Sequence, residues 1–218
     1  MRVKKLFLFV CIFLFVLSAS LSLHAFSLRP YGKLGSMIVS PSASDLGFVL
    51  ADGDGDLDEY LDKQTVTYGA GVQIVFPINS QIFEGMETSV GIDMGIYRLF
   101  GYEFQASDAS SKWNGDEYSF YLGGLVELNM VDSPVMFQAG AGLHFVYWQE
   151  ERTFEGTHIN EYETDSGTET SFGLTLAAGT NLAVGESTTI PVILQLNTIF
   201  RYETMFELGI IFGFDIAR

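Results

Sequence analysis

The chain has 218 residues, enough for one domain, and carries 11 lysines and arginines against 27 aspartates and glutamates, a formal charge of −16. This charge excludes nucleic acid as a partner, because binding it needs a basic surface that replaces counterions. Hydrophobic residues make up 48% of the chain, yet no apolar run after residue 25 reaches the length of a transmembrane helix. Such a chain buries its apolar residues in a core or presents them to lipid as strands.

Residues 1–25 have the pattern of a secretory signal peptide. Residues 6–17 form an apolar run, shorter than the about 20 residues of a membrane-spanning helix, and it follows Arg2, Lys4 and Lys5. The pattern predicts cleavage after Ala25, and an uncleaved membrane anchor is the alternative. Cleavage removes Cys11, the one cysteine, which leaves no disulfide. It also leaves 8 of the 11 basic residues against 27 acids, a formal charge of −19.

The rest of the chain contains segments in which every second side chain is large and apolar. A period of two indicates a β-strand with unlike faces. Pro30 limits the first strand to a strand start or an edge, because proline has no amide donor for the ladder. The predicted strands are 26–39, 65–76, 87–99, 117–129, 135–148, 170–182, 189–202 and 205–218.

The last segment shows the two faces most clearly. One face is continuous and apolar, with Phe206, Leu208, Ile210, Phe212, Phe214 and Ile216. The other is mostly small or acidic, with Glu207, Gly209, Ile211, Gly213, Asp215 and Ala217. This composition is typical of a strand that faces lipid on one side and a barrel lumen on the other.

The connections between the predicted strands alternate between long and short until the brief last hairpin. Residues 40–64, 100–116 and 149–169 are long, polar and acidic, and they are predicted to be surface loops. Aromatic side chains lie near both ends of the outward faces, as expected at the two membrane interfaces. The sequence therefore predicts an all-β fold, an eight-stranded antiparallel up-and-down transmembrane β-barrel. A soluble sandwich or lipocalin-like barrel, with its aromatic side chains packed inside, is the alternative. A lipocalin would carry charges on the outward faces of its strands, and here those faces have almost none.

The pattern resembles the small eight-stranded outer-membrane proteins of the OmpA transmembrane domain, OmpX and OmpW type, over about residues 26–218. Glu207, Gly209, Phe212 and Phe214 also fit the insertion signal of outer-membrane barrels, polar-x-Gly-x-x-aromatic-x-aromatic. The chain departs from these families in having four residues, 215–218, after Phe214. The resemblance implies Sec-type export, a place in the bacterial outer membrane and lipid as a partner.

Charged and polar side chains occur on the inward faces of the predicted strands. Such groups are expected to pair, because an unpaired buried charge costs several kcal/mol. Arg201 and Glu207 flank the last hairpin and are predicted to meet across it. A salt-bridged plug is the favoured interpretation, since eight strands leave little room, and a gate or narrow polar pore is the alternative. The candidate lumen residues are Lys33, Asp93, Glu127, His144, Arg201 and Glu207.

Two features are candidate sites for other chemistry. Asp52, Asp54, Asp56 and Asp58 resemble a calcium loop, but the sixth and twelfth positions are Leu57 and Lys63, so an EF-hand is excluded. Weak divalent-cation binding remains an alternative to a solvated acidic loop.

His144 invites comparison with lipid A deacylases of the outer membrane, which have a serine two residues after the histidine. That position is Val146 here, and the sequence contains no cofactor motif.

The sequence thus predicts a non-enzymatic, monomeric integral outer-membrane protein without a cofactor. Loops 40–64, 100–116 and 149–169 are predicted to contact host or cell-surface molecules. The alternatives are a small OmpW-like channel for hydrophobic or small polar solutes, and an enzyme that modifies lipid A.

Overall fold

The computed structural model describes residues 26–39, 61–78, 84–105, 111–155, 160–184, 188–201 and 204–217. Within these ranges, no helix is long and apolar enough to cross a bilayer. The described chain forms ten strands. They are β1 (Ser27–Val39), β2 (Leu61–Gln64), β3 (Val66–Ile78), β4 (Met86–Gln105), β5 (Ser111–Met130), β6 (Val135–Glu155), β7 (Asn160–Ala183), β8 (Thr188–Phe200), β9 (Thr204–Gly213) and β10 (Asp215–Ala217).

The strands form one closed antiparallel ring. Each long strand pairs with the next one in the order β1, β3, β4, β5, β6, β7, β8 and β9, and pairing of β9 with β1 closes the ring. Strand β2 precedes β3 and pairs with β4, whereas β10 follows β9 and pairs with β1 and β8. Counting β2 with β3 and β10 with β9, the ten elements make eight barrel strands. The predicted eight-stranded antiparallel barrel is confirmed.

The eighth strand of the barrel is interrupted at Phe214, between β9 and β10. Leu28 opposes Ile216 in the same register in which Tyr31 opposes Gly213, so Pro30 lies opposite Phe214. The Phe214 amide donates to the Pro30 carbonyl at 3.1 Å, but proline has no amide to donate in return. The strand therefore continues past the break, and residues 215–217 extend the barrel wall beyond the aromatic end of the insertion signal.

The side chains alternate between an exposed apolar outside and a buried inside. Phe206 is 36% exposed and Leu208 42% exposed, whereas Glu207 between them is 1% exposed. The predicted orientation, with bulky residues outward, is confirmed. The exposed aromatic side chains at the loop end are Tyr68, Tyr118, Phe120, Phe145, Tyr147, Phe172, Phe200 and Phe206, and those at the turn end are Phe137, Phe212 and Phe214.

Large side chains inside the barrel lie across inward glycines. Tyr121 covers Gly123 and Gly142, and the His144 ring covers Gly173, where an added Cβ would come within 2.7 Å of His144 Nε2. A ring packed over a glycine in a neighbouring strand replaces the missing side-chain contact. The inward glycines therefore leave the space that the aromatic rings in the lumen occupy.

Two of the predicted loops are largely strand. Strand β4 continues to Gln105 and β5 begins at Ser111, so the prediction of a loop over 100–116 is wrong for most of that range. The same holds for 149–169, because β6 continues to Glu155 and β7 begins at Asn160. Strands that leave the lipid need no apolar outer face, so the hydrophobic alternation ends before the strands do. Of loop 40–64, only residues 61–64 are described, and they form β2.

A β-bulge adds to this difference. The pairing of β4 with β5 shifts between Arg98 and Phe100, so Leu99 and Phe100 are both fully buried although they are adjacent in sequence. An extra residue in one strand reverses the in–out alternation beyond it. The pattern seen in residues 87–99 therefore does not continue beyond the bulge.

We expect Gly123→Ala to lower the free energy of unfolding by about 1–3 kcal/mol, as overpacking does in a filled interior. Its new methyl group would meet the Tyr121 hydroxyl and would lie 2.8 Å from the Ala141 carbonyl oxygen. Gly124→Ala is the matched control on the outer face, where the nearest atom is 3.9 Å away, and its effect should stay within about 0.5 kcal/mol. Urea unfolding in lipid vesicles measures both, and equal losses would contradict the fitted lumen.

Candidate functional site

At the turn end of the lumen, an arginine pairs with a buried glutamate across the barrel. Arg29 on β1 donates to both carboxylate oxygens of Glu127 on β5, with Nη2 3.0 Å from Oε1. Gln138 and Asn129 donate to the same carboxylate at 2.8 and 2.7 Å. Strands β1 and β5 are not neighbours in the ring, so the ion pair crosses the lumen. Arg29 is not among the predicted lumen residues, although Arg29 and Tyr31 share the inward face of β1.

The next layer contains a second buried carboxylate. Asp93 accepts hydrogen bonds from the Tyr31 hydroxyl at 2.7 Å and from Gln73 Nε2 at 3.1 Å. The Tyr31 hydroxyl also contacts that of Tyr97, and Gln138 donates to Gln73 at 3.4 Å. These contacts join the two layers and connect β1, β3, β4 and β6 across the interior.

Glu207 is the centre of a third cluster. Its carboxylate accepts from Lys33 at 2.6 Å, Thr67 at 2.6 Å and Asn197 at 2.7 Å. The Lys33 ammonium also lies 4.5 Å from the centre of the Tyr97 ring, which is within the range of a cation–π contact. Thr67, Asn197 and the Tyr97 ring thus surround the Lys33–Glu207 ion pair inside the barrel.

Arg201 pairs with different acids from the one predicted. It donates to Glu117 on β5 and to Glu169 on β7, with Nη2 3.0 Å from Glu169 Oε2. The predicted Arg201–Glu207 pair is wrong, because Glu207 lies opposite Asn197 in the β8–β9 register and is therefore deeper in the barrel. Arg201 follows the end of β8 at the loop-side rim, where it connects β5 and β7.

His144 has a partner that sequence reasoning did not identify. Its Nδ1 lies 3.0 Å from Ser119 Oγ, and its ring centre lies 4.8 Å from that of Tyr121. Ser119 is on the neighbouring strand β5, opposite Val146, so a search for serine along the histidine's own strand does not find it. His144 and Ser119 are 5% and 1% exposed.

The other candidate residues lie elsewhere. Asp52, Asp54, Asp56 and Asp58 are outside the described residues. In the part of the chain that is described, no group of three or more histidine, cysteine, aspartate and glutamate side chains is placed to hold a metal ion. Of the insertion signal, Gly209 lies on the inward face beside Glu207, and Phe212 and Phe214 are exposed outside.

Strands β4–β7 continue above the loop-side aromatic band and have their own interior. Tyr102 donates to Glu150, and Arg152 donates to the same carboxylate at 2.6 and 2.9 Å. The Arg152 guanidinium also lies 4.5 Å from the Trp113 ring centre. Burial, and then the hydrogen bond and charge of Glu150, raise the pKa of the Tyr102 hydroxyl. These contacts hold β4, β5 and β6 together outside the apolar belt. Strand β7 joins them by pairing with β6, and the four strands form a protruding sheet.

Strand β7 forms one edge of the protruding sheet. Strand β7 pairs with β6 from Asn160 onward, but with β8 only from Phe172 to Ala183. Among the described residues, 160–171 thus have a strand partner on one side only. Thr164, Ser166, Thr168 and Thr170 are exposed on its outer face, and Asp165 is exposed on the other. The stretch contains Glu161, Glu163, Asp165 and Glu169 and no basic residue.

We expect the Lys33–Glu207 pair to contribute strongly to stability as long as both partners are present. Lys33→Met or Glu207→Gln alone leaves a buried charge without its partner and should cost about 3 kcal/mol. The double variant should cost less than the sum of the two. Urea unfolding in vesicles supplies the double-mutant cycle.

The control cycle uses Lys112 and Glu103, a pair 2.5 Å apart whose side chains are 45% and 38% exposed. Each of the equivalent changes, Lys112→Met and Glu103→Gln, should cost at most about 1 kcal/mol. Similar coupling energies for the two pairs would contradict the desolvated lumen described above.

No protein-family model matches the chain, and no curated protein sequence matches it. Among solved structures, a major outer membrane protein from Thermus thermophilus matches with a TM-score of 0.50 at 11% identity, over 89% of this chain and 100% of that chain. Neisserial surface protein A (NspA) matches with a TM-score of 0.43 at 13% identity, over 88% and 97% of the two chains. Ail of Yersinia pestis matches with a TM-score of 0.42 at 11% identity, over 89% and 99%.

At 11% identity the Thermus match shows the fold alone, and the two weaker superpositions add no argument to it. The observed ring of strands agrees with that match, as does the apolar outer face that the ring presents. The chain has the fold of the small eight-stranded outer-membrane β-barrel proteins.

Proposed function

We propose that this protein is an integral protein of the bacterial outer membrane and that it acts by binding molecules at the cell surface. The barrel is its anchor, and the protruding sheet of β4–β7 is its contact surface. The apolar outer wall between two aromatic bands supports the membrane location. The signal peptide predicted over residues 1–25 fits the same location.

The edge of β7 over residues 160–171 carries the binding role, because among the described residues it has a strand partner on one side only. An exposed strand edge presents backbone donors and acceptors to which an extended segment of another protein can add as a further strand. Glu169 pairs with Arg201, but the stretch also contains Glu161, Glu163 and Asp165 and no basic residue. This composition favours a positively charged segment. Asp165 and Thr168 are exposed there. The partner proposed is therefore an extended, cationic peptide segment.

The lumen clusters support a closed barrel and oppose the alternative of a conduit. The Arg29–Glu127 pair and the Thr67–Glu207 hydrogen bond each join strands that are not neighbours. Eight strands enclose a space just wide enough for side chains to fill. We propose that these residues are a structural plug.

The buried Ser119–His144 pair has the residue types of a nucleophile and a base, but its burial opposes catalysis on lipid. Both side chains lie on inward faces, away from the wall that lipid contacts. A lipid carbonyl group therefore has no approach to Ser119 Oγ. The proposed function accordingly includes no enzymatic activity.

A fluorescent peptide of alternating lysine and threonine tests the binding role. The protein is placed in nanodiscs of uncharged lipid, and fluorescence anisotropy measures the affinity for this peptide. We expect saturable binding, and we expect Asp165→Lys to weaken it severalfold, because the change reverses a charge at this edge of β7. High salt should weaken the interaction as well.

The control is Glu87→Lys, the same change of charge at the exposed turn end of β4. It should leave the affinity unchanged. Equal losses in the two variants, or absence of binding to the wild type, would overturn the assignment of the edge.

Planar-bilayer recording tests the plug. We expect the purified, folded protein to produce no single-channel steps, because contacts between opposite walls occupy the lumen. A wide porin recorded in the same bilayer is the positive control. Reproducible steps of defined size from the barrel would favour the conduit instead.

A further inference from the structure

A groove of about 490 Å³ crosses the outer surface of strands β5–β9. It lies between two rows of outward side chains that are cross-strand neighbours. One row runs from Val126 through Ala139 to Leu176, and the other runs from Leu128 through Phe137 to Ala178. The position and lining of this groove indicate a binding site that is separate from the protruding sheet.

The groove forms because small and large side chains alternate along the two rows. Ala139 and Ala178 are diagonal neighbours on β6 and β7 and form the floor. The walls are higher, since Phe137 and Leu176 are 42% and 63% exposed. The result is a slot with an almost wholly apolar lining, bordered by branched and aromatic side chains.

The place of the groove in the barrel determines what fills it. Its lower end lies at Leu128 and Phe137, close to the turn that joins Met130 to Val135. From there it crosses the belt between the aromatic bands, where hydrocarbon surrounds the protein and water is absent. A slot in this region that opens towards the interface on the turn side is accessible to lipid of that leaflet.

We propose that the groove binds one acyl chain of a phospholipid from the leaflet on the side of the short turns. A group the size of a water molecule occupies about 30 Å³ in a liquid, so the groove has space for about sixteen methylene groups. The hydrophobic effect does not distinguish protein from lipid here, so retention depends on the closer van der Waals fit of a chain in a shaped slot. The inference uses the membrane location but not the binding role of the β7 edge.

Native mass spectrometry of the folded protein tests the proposal. The probe is a phospholipid with two saturated sixteen-carbon chains, added to the detergent-solubilised barrel, and the retained fraction is measured as the collision energy rises. We expect one phospholipid to be retained per barrel beyond the energy that removes detergent. The double variant Ala139→Leu/Ala178→Leu fills the floor and should reduce the retained fraction severalfold.

The matched control is Ala70→Leu, the same substitution at an exposed alanine on the outer face of β3, which should retain lipid as the wild type does. Equal retention in all variants, or no lipid retained by the wild type, would overturn the proposal. Dimers that the double variant abolishes would assign the face to a second copy instead. Retention of a free sixteen-carbon fatty acid, but not of the phospholipid, would also overturn it.

Discussion

The absence of water from the hydrocarbon core is the constraint on which this structure depends. Each backbone amide and carbonyl there must bond within the protein, because an unpaired group costs several kcal/mol. The β1–β9 pairing meets this requirement by closing the ring. Where Pro30 removes one donor, the wall breaks at a single residue and then resumes in the same register.

Closure has a second consequence, because it encloses a narrow interior that must be filled. The chain fills it with aromatic rings packed over inward glycines and with charges that meet across the axis. A buried charge is stable only when it is paired and hydrogen-bonded. Glu127 and Glu207 each accept bonds from several donors, which satisfies that condition.

The barrel strands differ in how far they extend on the loop side, and the proposed function follows from this difference in length. Strands β4–β7 continue beyond the lipid belt, whereas β8 ends at Phe200 and β9 begins at Thr204. An ion pair and an aromatic contact at Arg152 support the longer strands from inside. The same difference in length leaves the edge of β7 over residues 160–171 without a second strand partner among the described residues, and the proposed binding role rests on this edge.

The fold class, the number of barrel strands and the face on which each side chain lies in the membrane-spanning part follow from the sequence alone. Period-two alternation is a local property, and unlike environments on the two faces of a strand make it strong. The inward position of Lys33, His144 and Glu207 therefore followed from parity alone.

Which residues contact one another depends on the tertiary structure. Pairing depends on register and on closure, and a shift of one residue moves each side chain to the other face. The partners of Arg201, the contact between Ser119 and His144 and the reversal after Arg98 all depend on such long-range registers. The parts of β4–β7 that lie outside lipid need no apolar face, so hydrophobic alternation does not reveal them. The sequence therefore predicts loops at these positions.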